Sequence, residues 1–225
     1  MAASLESLPP RMFWADRFSV AAGLLALGSA FLLLGAWAFQ FVEYSLVDLP
    51  SWVLMGGSLF AVPLHLLAWH ALWDAVDGVS VNGSRRFMRR VFRFSLAAFA
   101  AGLAIVLILA PFGWLTSMGG FFPYIPFVWA PVVICHSVIF VHACRLLRAE
   151  RFPVWLGSGV LFGVAVFGLG MLAFPGLSHR PTWLMAGLTA PGYALVSFGW
   201  KRVAFRKPDP ASTHGGRCAS TLVAV

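Results

Sequence analysis

Hydrophobic residues fill five long stretches of this chain without a single Asp, Glu, Lys or Arg, at 18–42, 49–73, 94–144, 152–179 and 181–200. A helix that crosses a membrane needs about 20 apolar residues, each adding about 1.5 Å of rise. The stretch 94–144 is about twice that length, and Pro and Gly crowd its middle (PFGWLTSMGGFFPYIP). This composition predicts a turn between two crossings.

The pattern therefore predicts six membrane-spanning helices, at 18–41, 51–73, 94–114, 125–147, 154–174 and 182–200. Helices are expected because the hydrocarbon core has no water to satisfy an exposed backbone. The predicted fold class is an all-α, polytopic membrane bundle, with residues 1–207 as a single domain. Residues 208–225 are small and polar and are predicted to form a disordered cytoplasmic tail.

Composition and charge add an orientation to this bundle. The chain is 60% hydrophobic and 11% charged, whereas soluble domains have about 25% charged residues. Of the 16 Lys and Arg residues, all but Arg180 fall on one side of the predicted spans. The positive-inside rule places that side, with both chain ends, in the cytoplasm. The net charge of +8 then reflects topology and does not indicate binding to nucleic acid.

The segment SRRFMRRVFRF, between the second and third spans, separates charge from hydrophobicity around a helix. At about 100° per residue, its arginines share one side and its apolar residues share the other. The arginines are Arg85, Arg86, Arg89, Arg90 and Arg93. The pattern predicts an amphipathic helix at about 84–93, lying on the inner leaflet against anionic lipid headgroups. A docking surface for an acidic partner is the alternative.

Four histidines interrupt the hydrophobic spans: His65 and His70 on the second, and His136 and His142 on the fourth. Their positions relative to the span midpoints place all four in the inner half of the bundle. The two rings on each helix point about 120–140° apart, so at most one pair can easily face another. His65, His136 and His142 are the candidate ligands of haem b or of a transition metal.

A second group of polar residues lies where the second span ends. His70, Asp74 and Asp77 share one stripe of the helix. Cys135 lies seven residues before His142, on nearly the same face. These positions make His70, Asp74 and Cys135 candidate metal ligands. The alternative is that the aspartates pair with the nearby arginines.

Small residues predict where helices approach one another closely. Gly159 and Gly163 have the small-x-x-x-small spacing in the fifth span, as do Ala98 and Gly102 in the third. Such spacing lets backbones pack in a membrane, where no hydrophobic force drives helices together.

Three functions remain open from the sequence. The histidines could bind haem b or a metal for electron or proton transfer. The chain could instead be a secondary transporter or permease subunit, in which Pro63, Pro131 and Pro191 interrupt the even-numbered helices beside His65, His136 and Asp74. It could also be a scaffold that contacts other membrane subunits. No phosphate-binding loop, dinucleotide fingerprint or H-x-x-x-H motif occurs in the sequence, so no reaction is assigned.

Overall fold

The computed structural model describes residues 10–45, 51–79, 81–109, 125–147, 152–171 and 182–205. These residues contain six helices: α1 (Pro10–Ser45), α2 (Ser51–Asp77), α3 (Asn82–Leu109), α4 (Ile125–Leu147), α5 (Phe152–Met171) and α6 (Thr182–Phe205). The all-α prediction is confirmed for them. Among the described residues, three segments are long and apolar enough to cross a membrane: Trp14–Leu32, Val128–Leu146 and Phe152–Gly170. The predicted tail at 208–225 lies outside the described residues.

Two helices extend well past their predicted spans. α1 begins at Pro10, where the fixed φ of proline suits the first turn of a helix. α6 continues through the charged pair Lys201 and Arg202 to Phe205. The added turns are packed within the protein, since Trp14 near the start of α1 lies 6.5 Å from Trp200 near the end of α6.

The amphipathic segment is not a helix of its own. α3 runs without a break from Asn82 to Leu109, so the helix predicted at 84–93 and the third span are one element. Met88 and Phe92 on its apolar side are buried in the core, whereas Phe87 and Phe94 are exposed. The segment therefore packs on the bundle along part of its apolar face. Its contact with lipid headgroups stays a prediction.

Neighbouring helices run antiparallel. On α1 and α2, Arg17 pairs with Asp74 and Gly28 packs on His65, so residue numbers rise along one helix as they fall along the other. The contacts of α2 with α3, α3 with α4, α5 with α6 and α6 with α1 show the same reversal. The odd-numbered helices therefore begin, and the even-numbered helices end, at one end of the bundle.

We call this end the basic end, because the Lys and Arg residues of the six helices lie there. They are Arg11, Arg17, Arg85, Arg86, Arg89, Arg90, Arg93, Arg145, Lys201 and Arg202. The charge asymmetry that the sequence showed along the chain thus becomes an asymmetry between the two ends of one bundle.

Glycines bring α5 and α6 into close contact. A Cβ atom built on Gly157 would lie 2.6 Å from the carbonyl oxygen of Gly192, and one built on Gly199 would lie 2.7 Å from Cγ2 of Val154. Any side chain at these positions would push the backbones apart. Close backbone approach is how helices gain van der Waals contact where lipid supplies no hydrophobic force.

The close contact of α5 is not made by the two glycines from which the sequence predicted it. Gly159 and Gly163 are exposed, with no atom of another helix within 4 Å of a Cβ built there. The packing face is turned about 200° from Gly159, because Gly157 precedes it by two residues. The prediction for α3 is confirmed, since a Cβ on Gly102 would lie 2.6 Å from Cγ2 of Val128 on α4.

Hydroxyl groups join α1 to α6. Ser19 Oγ donates to the carbonyl oxygen of Ser197 at 3.0 Å, and Ser197 Oγ donates to that of Ser19 at 2.8 Å. Farther from the basic end, Thr189 Oγ1 donates to Ser29 Oγ at 2.9 Å. These bonds satisfy polar groups within the interface, as interhelical hydrogen bonds do in membrane bundles.

An aromatic core fills the basic half of the bundle between α1, α4 and α6. Phe18 stacks on Trp200 at 5.1 Å and meets Phe140 edge-on at 6.2 Å between ring centroids. Phe140 in turn lies 6.5 Å from Tyr193. This packing fixes the position of Tyr193, whose hydroxyl belongs to the site described next.

Candidate functional site

Arginines engage the two aspartates at the end of α2. Asp74 Oδ2 lies 2.9 Å from Arg17 Nη1 and 3.4 Å from His70 Nδ1. Asp77 Oδ1 lies 2.5 Å from both Nε and Nη2 of Arg89. The side chain of His70 is 77% exposed. The arrangement favours charge pairing at a wet helix end over a metal site.

The arginine face of α3 is divided between two roles. Arg89 binds Asp77 and lies over the Trp73 ring at 5.7 Å, while Arg85 donates to the backbone carbonyl of Asp77 at 3.4 Å. These contacts hold the start of α3 against the end of α2. The remaining arginines of the segment are exposed: Arg86, Arg90 and Arg93.

The structure does not bring the predicted ligands into one group, although His70 and Asp74 are in contact. His142 packs on Phe87 of α3 with 4.7 Å between ring centroids, and Cys135 is buried elsewhere on α4. Within the described ranges, no group of three or more His, Cys, Asp or Glu side chains is placed to hold a metal ion. The predicted cluster of histidines is therefore not found in this part of the chain. His70 and His142 lie at the surface of α2 and beside α3, and only His65 and His136 face the interior.

Two crossed pairs of rings occupy the gap between α2 and α4. His65 of α2 meets Trp129 of α4 edge-on, with 5.0 Å between ring centroids. Trp69, one turn farther along α2, meets His136 of α4 edge-on at 6.5 Å. With Tyr193 of α6, these side chains form what we call the central site. Each histidine thus faces a tryptophan of the other helix.

The α1 backbone and an α2 carbonyl hold the imidazole of His65. A Cβ atom on Gly28 would lie 2.5 Å from its Cε1 and 2.6 Å from its Nδ1, so only glycine leaves room for the ring. His65 Nδ1 lies 2.7 Å from the carbonyl oxygen of Ala61. A carbonyl oxygen can only accept, so Nδ1 carries the hydrogen. In the neutral ring, Nε2 is then a free acceptor.

Tyr193 orients the imidazole of His136. Their hydroxyl oxygen and Nδ1 are 2.9 Å apart, and both side chains are 1% exposed. In the part of the chain that the structure describes, the Tyr193 hydroxyl makes no other hydrogen bond. The Tyr193 hydroxyl hydrogen therefore forms a hydrogen bond only if it points to Nδ1 of His136. That choice places the ring hydrogen of His136 on Nε2.

Four ring nitrogens of the central site lack a hydrogen-bond partner among the described residues: His65 Nε2, Trp69 Nε1, Trp129 Nε1 and His136 Nε2. An indole nitrogen can only donate. The unpaired set is thus three donors and one acceptor. Leaving such a group unpaired in an apolar interior costs about 1–3 kcal/mol each. A water molecule or another small polar molecule beside these nitrogens would supply the missing partners.

Several residues of the site were not predicted from the sequence: Gly28, Trp69, Trp129 and Tyr193. A signal was present for the tryptophans, since Trp69 follows His65 by four residues and Trp129 precedes His136 by seven. Both spacings share one helix face. Gly28 and Tyr193 belong to other helices, so their proximity depends on the tertiary packing.

Comparisons with protein-family models, with curated proteins and with solved structures give no match to this chain. Its function is therefore inferred from the residues of the central site.

Proposed function

We propose that this chain crosses the membrane with all six helices, with both chain ends in the cytoplasm, and that it transfers protons through its interior on His65 and His136. This function is common to the transporter hypothesis and to the proton-transfer form of the cofactor hypothesis. The observation that carries it is the pair of imidazoles in the bundle interior, each with a ring nitrogen that has no described partner. Titratable side chains within a membrane bundle mark proton pathways by default.

Helix length and surface composition support six crossings. α2, α3 and α6 have 27, 28 and 24 residues, and at about 1.5 Å each they exceed the hydrocarbon thickness of about 30 Å. Large apolar side chains are exposed on the outward faces of several helices. On α2 these are Phe60, Val62, Leu66 and Leu67. Contiguous apolar surface of this kind is what lipid chains cover.

The basic end supports the orientation. Cytoplasmic loops of membrane proteins carry an excess of Lys and Arg close to the helix ends. In the described helices the Lys and Arg residues belong to α1, α3, α4 and α6, and they lie at the end where α1 begins and α6 ends. Both chain ends are therefore assigned to the cytoplasm.

The cysteines of the chain allow a direct test of this orientation. Cys135 and Cys144 are buried, so Cys218 is the thiol expected to react with a membrane-impermeant maleimide. We expect no labelling of intact cells and full labelling of Cys218 after permeabilisation. Cys218→Ser is the control and removes the signal. Labelling of Cys218 from outside intact cells would contradict the orientation.

Proton transfer through the site uses the tautomers that its hydrogen bonds select. As His136 Nε2 releases its hydrogen towards His65 Nε2 through a bridging water molecule, His136 Nδ1 takes the hydrogen of the Tyr193 hydroxyl. One proton leaves Tyr193, one arrives at His65, and His136 remains neutral throughout. A hydronium ion that arrives from the basic end gives its proton to the Tyr193 oxygen in the same step, so that no buried tyrosinate is left. Histidine suits this role because its two ring nitrogens exchange donor and acceptor functions.

The test is proton flux in proteoliposomes, driven by a potassium diffusion potential and followed with an enclosed pH dye. We expect flux above that of protein-free vesicles. His65→Ala and His136→Ala should reduce it to the protein-free level, because each removes one of the two nitrogens that exchange the proton. His70→Ala is the matched control and should retain flux, since His70 lies on the same helix with its ring exposed.

The variants should be checked by monodisperse elution in detergent, with His65→Gln as a less disruptive second substitution. Full flux in a folded His65→Ala protein would contradict the proposal. So would wild-type protein that conducts no more protons than empty vesicles.

The two other hypotheses have less support from the geometry. A haem between His65 and His136 would need a flat space beside both imidazoles, and the indoles of Trp129 and Trp69 lie there. Haem b or a metal on His65, His136 or His142 thus stays a prediction from the sequence, as does a scaffold role with other membrane subunits. Contact of the exposed arginines with anionic lipid is compatible with each of these functions.

A further inference from the structure

The proton step leaves two groups of the central site unused. The N–H groups of Trp69 and Trp129 point to no described acceptor, and an indole cannot relay a proton as an imidazole can. Buried tryptophans ordinarily find a hydrogen-bond partner. The two N–H groups, with Nε2–H of His136, therefore define a place where an acceptor-rich molecule would be satisfied.

The three N–H donors of the central site exclude several classes of ligand. Ammonium and amine compounds are donors, and three donors would oppose them. Among the described residues, the buried polar side chains are serines, a threonine and histidines, without any Asp, Glu, Lys or Arg. A free anion would therefore be buried without a counter-charge, which is costly in an apolar interior. An anion fits only if a proton enters with it.

We propose that the central site binds a small monocarboxylate together with one proton, so that this chain carries short carboxylic acids across the membrane. The inference rests on the proposed function, because His65 must be able to take up the proton. Formate, the smallest carboxylate, requires the least space between these rings and is therefore the probe of choice.

Every atom of the guest then has a partner. The acid gives its proton to His65 Nε2, which becomes an imidazolium and donates back to one carboxylate oxygen. The lone pairs of the carboxylate accept from the N–H groups of Trp69, Trp129 and His136. One O–H bond breaks and one N–H bond forms, so the net charge of site and guest stays zero. Release on the other side reverses the step.

The experiment is a titration of the full chain in detergent at neutral pH with sodium formate. Binding is read from saturation-transfer NMR on the formate proton, and proton uptake from the pH change in weak buffer. We expect saturable binding with one proton taken up per formate bound. Trp129→Phe keeps the ring and removes the N–H, so it should bind formate about tenfold more weakly. Trp155→Phe is the matched control, since Trp155 is an exposed ring beside Arg145.

Chloride and methylammonium at the same ionic strength serve as the opposing probes and should give neither binding nor proton uptake. Equal competition by chloride would overturn the inference, as would formate binding without proton uptake or with unchanged affinity in Trp129→Phe. Proton flux without formate binding would overturn this inference alone. Formate binding with proton uptake in a protein that conducts no protons would instead overturn the proposed proton transfer.

Discussion

Replacing Gly157 with alanine is expected to destabilise the bundle by about 3 kcal/mol, near the upper part of the range for overpacking a tight interface. The new Cβ atom would lie 2.6 Å from the carbonyl oxygen of Gly192 and 2.9 Å from the backbone nitrogen of Val196. Neither atom can rotate away, so α5 and α6 would have to separate. For a chain of this size, the loss corresponds to a fall in Tm on the order of 10 °C. Thermal unfolding in detergent, followed by circular dichroism, measures it.

Gly159→Ala is the matched control on the same helix. No atom of another helix lies within 4 Å of a Cβ atom at Gly159, and alanine favours a helix over glycine by about 1 kcal/mol. Its Tm should therefore equal or exceed that of the parent protein. The gain in helix propensity is the same at both positions. The difference in Tm between the two variants therefore measures the effect of packing alone. Equal Tm values for the two variants would show that α5 and α6 are not in contact at Gly157.

Replacing Gly28 with alanine is expected to reduce proton flux about tenfold or more while leaving both histidines in the chain. The Cβ atom would lie 2.5 Å from Cε1 of His65. The imidazole would have to swing away and lose its bond to the Ala61 carbonyl, and a displaced catalytic group of this kind costs a large factor in rate. Flux in proteoliposomes is the measurement, and Gly163→Ala, which meets no neighbour, is the control.

A double-mutant cycle separates this displacement from general damage to α1. Gly28→Ala alone should lower stability by about 1–3 kcal/mol. In the Gly28→Ala/His65→Ala protein the imidazole is gone and the new methyl group has room, so the two losses should not add. Additive losses in Tm, or unchanged flux in Gly28→Ala, would mean that the His65 ring does not lie on Gly28.

The helical architecture was predictable because it depends on local properties of the chain. Runs without charge predicted all six helices, and the segment at 125–147 was predicted at the bounds that α4 has. The predicted helix bounds were wrong where tertiary packing extends a helix beyond its uncharged run. The amphipathic segment was expected as a separate helix, yet Met88 and Phe92 pack into the core and the helix continues through them into α3.

The site was predictable only in part. His65 and His136 were named from their depth, because helical rise converts residue number into distance along the bundle. His142 was named by the same reasoning, and His70, Asp74 and Cys135 from their positions around their helices. Within the described residues the structure does not gather them into a group of three or more ligands. Depth alone does not give the direction of a side chain around its helix. Helix rotation is set by neighbours, here by the close approach of Gly28 and the hydroxyl of Tyr193.

The sequence by itself determined that the described segments are largely apolar helices and that the Lys and Arg residues within them lie at one end of the bundle. These properties follow from composition and from the fixed rise and rotation of a helix. Only the tertiary structure decided that two tryptophans lie against two histidines and that Gly157 rather than Gly159 lies in an interface. Such contacts depend on which faces of six helices pack together, and uniformly apolar helices carry little pattern to specify that choice.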